Sequence, residues 1–261
     1  AIRLYRSLDE LPPDFGPSAV SIGNFDGVHE GHKSLVRTVV SVARSRGWKA
    51  GVLTFNPHPA TVVAPSRAPL LMTTPEQRIR LMANYGIEEA IILPFDGELA
   101  HLGPEEFVRR ILIDRMQVRA VVVGHNFRFG YRAAGDIALL EQLGKSLGFE
   151  THIVNEVSLR HWAVSSTAIR NAVRAGQVSR ASRMLGRFFS LEGSVVTGHG
   201  IGSKQTVPTL NLEADSQLLP AHGVYITRTT DLDGLRSWES ITNVGVRPTF
   251  DGDRVTVETF L

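Results

Sequence analysis

The pattern of apolar residues changes once along this chain, near Leu185–Arg187, and that change limits the folds open to it. Before it, short apolar runs alternate with amphipathic stretches. "SAVSIG" (18–23), "KAGVLTF" (49–55), "EAIILPF", "RAVVVGHNF" and "THIVNEV" read as strands, each an almost unbroken apolar run. Between them, Leu35, Val36, Val39, Val40 and Ala43 repeat at helical spacing and predict a helix over 31–46. "TTPEQRIRLMANYG" predicts a helix with Thr74 as N-cap, Pro75 in its first turn and Gly86 as its stop. "GPEEFVRRILIDRM", residues 136–147, "SSTAIRNAVRAG" and "SRASRMLGR" predict further helices. Apolar strands alternating with helices imply an α/β fold, a parallel sheet with helices on both faces. From Phe188 onward helical periodicity disappears. "FFSLEGSVVTG", "TVPTLNLE", "HGVYITRTT", "RSWESITNVG" and "TVETFL" are β-like runs separated by Gly, Pro and Asp. They predict a second, small all-β barrel. We therefore expect two domains, residues 1–186 and 187–261, with Leu261 falling inside the last strand pattern so that the barrel stops short of closure.

Composition narrows the functional classes. Lys and Arg number 28 against 26 Asp and Glu, a net charge of +2, and no basic block marks a nucleic-acid footprint. Cysteine is absent, which excludes disulfides, thiolate metal sites and a cysteine nucleophile. No apolar run approaches the roughly 18 residues that span a bilayer, and "AIRLYRSLDELPPDFG" lacks a signal-peptide core. The expectation is a soluble cytoplasmic protein without nucleic-acid or membrane partners, a monomer or weak homo-oligomer.

The segment "SIGNFDGVHEGHKSL" (21–35) carries the strongest chemistry. It joins a strand to a helix, and a helix N-terminus offers unpaired N–H groups to an anion. Gly23, Asn24 and Phe25 lead into it, and Gly31 lets a phosphate approach the backbone. His29 and His32 can donate hydrogen bonds to phosphate oxygens as charge builds at phosphorus. Metal binding and packing are the rivals. Zinc-binding helices usually space two histidines i, i+4 and need further ligands, whereas these are i, i+3.

Three more segments sit where an open α/β sheet binds ligands, at strand ends or helix starts. "TFNPHP" (54–59) is a proline-locked turn, or a place from which His58 reaches the site. "VVVGHNFRFG" (121–130) offers Asn126 and Arg128, while Phe127 and Phe129 either pack or stack on a ligand. "SSTAIR" (165–170) is an N-cap, or a second phosphate-binding helix start in which Ser165, Ser166 and Thr167 bind and Arg170 neutralises charge. "GHGIGSKQTVPTLN" (198–211) fails the P-loop spacing, because three residues separate Gly198 from Gly202 and Ser203 separates Gly202 from Lys204. A glycine-rich β-turn around Gly200, Gly202 and Lys204 contacting phosphates through backbone N–H groups stays open. Thr209 and Asn211 present side-chain oxygens two apart on one strand face, a pattern that suits a hard cation such as Mg²⁺.

Taken in order, "GNFDGVHEGH", "TFNPHP", "VGHNFRFG" and "SSTAIR" resemble the adenylyltransferase half of the bacterial bifunctional riboflavin kinase/FAD synthetase family. "GHGIGSKQTVPTLNL", "GVYI", "TNVGVRPTF" and "TVETFL" resemble its kinase half, so the likeness runs from about Ala19 to Leu261. The resemblance implies a Rossmann-like nucleotidyltransferase domain followed by a riboflavin kinase barrel. It implies phosphorylation of riboflavin by ATP to FMN, then adenylylation of FMN by ATP to FAD with release of pyrophosphate, using Mg²⁺. It further implies that His29 and His32 bind ATP phosphates, that Asn24, His58, Asn126, Arg128, Ser165, Ser166, Thr167 and Arg170 hold ATP or flavin, that Thr209 and Asn211 bind Mg²⁺, and that Glu258 is the kinase base. Members of the family continue past "VETF" with a further strand and helix, so a chain ending at Leu261 is expected to carry an incomplete kinase half. The rival enzyme is another adenylyltransferase with the same histidine motif, against which the β domain counts. The non-enzymatic rival is a flavin-binding regulator, against which both histidines, Thr209, Asn211 and Glu258 count.

Overall fold

The computed structural model describes residues 2–159, 162–196, 209–214, 217–249 and 252–261, with the backbone alone at 247–249 and 252–254. Contacts divide the chain into two compact units. One contains Ala1–Pro69 and Pro75–Ser166, the other Leu70–Thr74 and Thr167–Leu261.

The first unit carries β1 (Arg3–Tyr5), β2 (Ser18–Ile22), α1 (Glu30–Arg46), β3 (Lys49–Asn56), α2 (Pro59–Val63), α3 (Pro75–Ala83), β4 (Glu89–Pro94), α4 (Gly97–His101), α5 (Pro104–Phe107), β5 (Val118–Gly124), α6 (Ile137–Leu147), β6 (Glu150–Val154), and a small ribbon of β7 (Ser158–Leu159) with β8 (Trp162–Ala163). β1 to β6 form one sheet in the order β1-β4-β3-β2-β5-β6. Every pairing in it is parallel.

Period-two alternation makes this sheet a middle layer. Val20, Ile22, Leu53, Ile91, Leu93, Val121 and Val123 enter one core with Phe107, Val108, Ile111, Leu112 and Leu140. Ala19, Ala50, Val52, Ala90, Ile92, Ala120 and Val122 enter the other with Val36, Val39, Val40 and Ala43 of α1 and Ile79 and Met82 of α3. The strands are buried on both faces, as their unbroken apolar runs require. β2 is followed by β3 on one side, while β5 lies on its other side. The winding reverses there, and the crevice outside the carboxyl ends of β2 and β5 is where such sheets receive ligands.

Two details differ from expectation. The segment predicted as one helix from Gly103 is α-helical only to Phe107 and then widens into a π-turn over Val108–Ile113. The wider turn appears as i to i−5 hydrogen bonds, Asp114 N to Arg109 O at 2.9 Å and Met116 N to Ile111 O at 3.0 Å. It keeps Val108, Ile111, Leu112 and Met116 together in the core. The N-terminal β1 was not foreseen. Three residues give too little periodicity, and the strand is fixed to β4 by Arg3, which pairs with the fully buried Glu89.

The second unit contains α7 (Ser166–Arg174, entered from the first unit through Ser166), α8 (Val178–Leu185), β9 (Ser194–Val196), β10 (Thr209–Glu213), β11 (Gly223–Thr230), β12 (Ser237–Thr249) and β13 (Gly252–Phe260). Its strands form an antiparallel sheet in the order β11-β12-β13-β10-β9. Leu70–Thr74 joins this unit through a parallel bridge of Leu71 with Gln217 and a 2.7 Å bond from Leu218 N to Leu71 O. One sheet face is buried: Val244, Val257, Thr242, Thr259 and Ser240 are each less than a tenth exposed. Its hydroxyls satisfy one another. Thr227 bonds Ser240 and Thr242 at 2.8 and 2.9 Å, and Thr242 bonds Thr259 at 2.9 Å. The other face carries Ile226, 96% exposed, and Ile241, Val224 and Phe260.

Candidate active sites

Local backbone chemistry builds the first site. β2 ends at Ile22, and Gly23 N bonds Leu53 O at 3.1 Å, so the chain leaves the sheet beside β3. The loop that follows turns three times through positive φ, at Phe25 (50°), Gly27 (86°) and Val28 (42°). A β-branched residue in that region is a costly outlier, of a kind that concentrates at functional sites. Full burial of the Phe25 and Val28 side chains offsets the cost. Gly23 stands against the face of the Phe25 ring, where a Cβ would lie in ordinary contact at 3.4 Å.

The loop delivers His29 as the N-cap of α1. Its Nδ1 accepts from His32 N at 3.3 Å, which places the proton of the neutral ring on Nε2. The His29 and His32 rings stack with centroids 3.6 Å apart and 16° between planes, and Phe25 meets His32 edge-on at 5.4 Å. Gly31 makes room for a neighbouring side chain. A Cβ there would lie 3.0 Å from His29 Cε1 and 3.1 Å from Nδ1, so the space the glycine leaves is filled by the His29 ring. Both imidazoles are thereby held over the first turn of a 17-residue helix, whose dipole favours an anion.

A buried network fixes this loop from behind. Asp26 and Arg78 of α3 form an ion pair at 3.8 Å with 1% and 3% of their side chains exposed. Arg78 Nη1 bonds Thr54 Oγ1 at 3.3 Å, and Thr54 Oγ1 donates to Asn24 O at 3.2 Å. Ser166 Oγ donates to Asp26 O at 3.2 Å, joining the start of α7 to the same loop. Asp26, Thr54 and Arg78 were not singled out from the sequence. The available signal was a charged residue four before Met82 on the apolar stripe of α3.

Asn126 and Arg128 follow the carboxyl end of β5, where Phe127 N closes a turn on Gly124 O at 3.0 Å, so β2 and β5 both direct their loops to the reversal point. Phe127 and Phe129 stack at 5.5 Å, and Phe129 also meets Phe107 in the core, so for these rings packing is the observed role. His58 caps α2, its Nδ1 accepting from Ala60 N at 3.1 Å beyond the end of β3. Ser165 and Ser166 stand at the start of α7. Thr167 and Arg170 continue that helix within the second unit, where Arg170 Nε donates to Leu70 O at 3.1 Å. Gly200, Gly202 and Lys204 lie outside the described residues.

In the second unit, strand register assembles a polar row. Asn211 stands opposite Glu258, and Glu258 opposite Asn243. Thr209, two before Asn211, shares its face and stands opposite Phe260. Directly opposed residues keep their Cβ atoms about 4.5–5.5 Å apart. The hydroxyl, carboxamide and carboxylate of Thr209, Asn211 and Glu258 thus share one neighbourhood. These are hard oxygen donors, a set that fits a divalent cation such as Mg²⁺.

The class these features define is an open α/β unit built to receive an anion at its winding reversal, joined to an antiparallel β unit with a small group of oxygen donors on an otherwise apolar face. The chain belongs to the FAD synthetase family, whose model matches residues 12–168, and a riboflavin kinase model matches 185–261. It is 35% identical over 252 residues to a bifunctional riboflavin kinase/FMN adenylyltransferase of Pseudomonas fluorescens, covering 97% of this chain and 80% of that protein. It is 32% identical over 260 residues to the Escherichia coli K12 protein of the same description, covering all of this chain and 82% of that one. A solved structure described as a macrolide-efflux protein from Streptococcus pneumoniae matches with a TM-score of 0.84 and 28% identity, covering 99% of this chain and 84% of that one. Among the described residues here, no helix is long and apolar enough to cross a membrane.

Proposed function

We propose that the two units divide the two reactions of FAD synthesis between them, with the histidine loop serving adenylyl transfer and the Glu258 row serving phosphorylation. The chain is a bifunctional riboflavin kinase and FMN adenylyltransferase, with riboflavin, FMN and ATP as its substrates. The proposed division keeps its boundary near residues 186 and 187, just inside the riboflavin kinase match that begins at residue 185.

In adenylyl transfer the FMN phosphate attacks the α-phosphorus of ATP and pyrophosphate leaves. The nucleophile is already an anion, so no general base is needed, and catalysis reduces to positioning and charge stabilisation. The stacked pair His29 and His32, over the amides of α1, is the observation that carries this assignment. Their N–H groups neutralise charge that grows on the α-phosphate oxygens. Asn24, Asn126 and Arg128 flank the nucleotide from the ends of β2 and β5, and Ser165 and Ser166 from the start of α7. His58 borders the same edge from β3. Thr167 and Arg170 are linked to the nucleotide by the motif alone.

In the kinase reaction the attacking ribityl hydroxyl is neutral, so a base helps. Glu258 takes its proton as the γ-phosphoryl group transfers. Thr209 and Asn211 hold Mg²⁺, which when bound neutralises phosphate charge. Gly200, Gly202 and Lys204 complete the phosphate contacts. Incubation of the full chain with riboflavin, ATP and Mg²⁺, followed by chromatographic separation, tests this: FMN and FAD form together, and failure of both to form with folded protein refutes it.

A further inference from the structure

The first turn of α1 carries a carboxylate where the adenylyl-transfer chemistry needs an anion to sit. His32 N is held by His29 Nδ1 at 3.3 Å and Lys33 N by His29 O at 2.9 Å, so the amides that this turn leaves for an anion are those of Glu30 and Gly31. One of the two thus belongs to a glutamate. Its carboxylate cannot lie farther from a phosphate on that amide than the length of its own side chain. A free carboxylate there would favour the helix end and repel the very anion that the helix end attracts.

That charge is not left free. Lys33 Nζ donates to Glu30 Oε1 at 2.7 Å, one helical turn further on. The lysine is the buried member of the pair, with 4% of its side chain exposed against 24% for Glu30. Its ammonium also lies 5.6 Å from the centroid of the Tyr85 ring, which follows α3 and which Arg37 Cζ approaches at 5.4 Å. Stability alone does not account for a buried lysine here. A pair at i, i+3 contributes little to a helix, and replacing a buried ion pair with apolar side chains is often neutral or stabilising. Neither Glu30 nor Lys33 has a part in the adenylyl-transfer chemistry above.

We propose that Lys33 is a positioning residue for adenylyl transfer: it draws the Glu30 carboxylate back along α1 and neutralises it, so that the first-turn amides and the His29–His32 pair meet ATP without an opposing charge. This rests on the reading of the histidine loop as the ATP phosphate site. Lys33 acts through Glu30 and does not touch the nucleotide. The ATP phosphates are anionic both before and during transfer, so an unneutralised Glu30 weakens binding in both states alike. Loss of Lys33 therefore raises KM for ATP and leaves kcat in place.

The test measures FAD formation from supplied FMN by the full chain at varied ATP. It compares Lys33→Met, Lys33→Arg, Glu30→Gln and the double variant carrying both Lys33→Met and Glu30→Gln. Lys33→Met raises KM for ATP about fivefold, the scale of one partly screened charge nearby, with kcat within about twofold of wild type. Salt at about 0.5 M shrinks that excess by screening the charge. Lys33→Arg keeps the wild-type KM. The double variant removes both charges and returns KM to within about twofold of wild type, a recovery that a merely structural lysine does not give. An unchanged KM in Lys33→Met, a loss of kcat in its place, or a double variant no better than Lys33→Met overturns the proposal. If Lys33→Met does not fold, Glu30→Gln decides: KM for ATP at or below wild type supports the proposal, and a raised KM overturns it. Full FAD formation in His29→Ala removes instead the reading on which it rests.

Discussion

Arg78 and Asp26 form an ion pair at 3.8 Å behind the histidine loop, with 3% and 1% of their side chains exposed. Burial makes this pair consequential. Removing one partner of a buried pair costs about 3–5 kcal/mol, because the other charge stays out of water. Arg78→Met is therefore expected to lower unfolding stability by about 3 kcal/mol, read from urea midpoints. Loss of the Thr54 contact also loosens the carbonyl of Asn24, so FAD formation falls more than FMN formation.

Gly31→Ala tests the histidine stack without touching either ring. The added Cβ would sit 3.0–3.1 Å from His29, closer than ordinary contact allows, and the ring must shift. A displacement of this kind in a preorganised site costs on the order of 10- to 100-fold in rate. Steady-state assays should show FAD formation from supplied FMN reduced on that scale, with FMN formation from riboflavin at the wild-type rate.

The hydroxyl ladder of the β sheet predicts a loss of stability confined to one unit. Thr242 Oγ1 bonds both Thr227 and Thr259 at 2.9 Å on the buried face. Thr242→Val keeps the shape and removes both bonds, which costs about 1–3 kcal/mol. Hydrogen exchange should accelerate on β11, β12 and β13 and stay unchanged on β2, β3 and β5.

Acid should weaken the β11–β12 hairpin through Asp231. The backbone N–H of Arg236 donates to its carboxylate at 3.1 Å and holds its pKa below the usual aspartate value. A depressed carboxylate stabilises the fold above its unfolded pKa of about 3.9, and that contribution is lost as pH falls through the folded value. Asp231→Asn should therefore lower the urea midpoint at pH 7, and the difference from wild type should vanish as the pH drops well below 4.

The layered α/β architecture was legible because β2, β3, β4 and β5 are apolar on both faces and α1 repeats Val36, Val39, Val40 and Ala43 at helical spacing. Such patterns are local. The loss of helical periodicity after Leu185 marked the antiparallel unit in the same way. What escaped depended on distant partners. The three residues of β1 form a strand through pairing with Glu89, some 86 positions away. Asp26 looked like part of a turn, and its importance comes from Arg78 on another helix. Glu258 comes to stand beside Asn211 only through strand register. The histidine pair was visible as a motif, but its stacking and the packing of the His29 ring beside Gly31 depend on the path of the loop in space.

The assignment of one reaction to each unit is tested most directly by exchanging the defects. His29→Ala and Glu258→Gln are each supplied with riboflavin, ATP and Mg²⁺, and separately with FMN, ATP and Mg²⁺, and the products are separated. The account predicts that His29→Ala accumulates FMN and makes no FAD from either substrate. It predicts that Glu258→Gln makes no FMN from riboflavin yet converts supplied FMN to FAD at the wild-type rate. Equal loss of both reactions in each folded variant would contradict it.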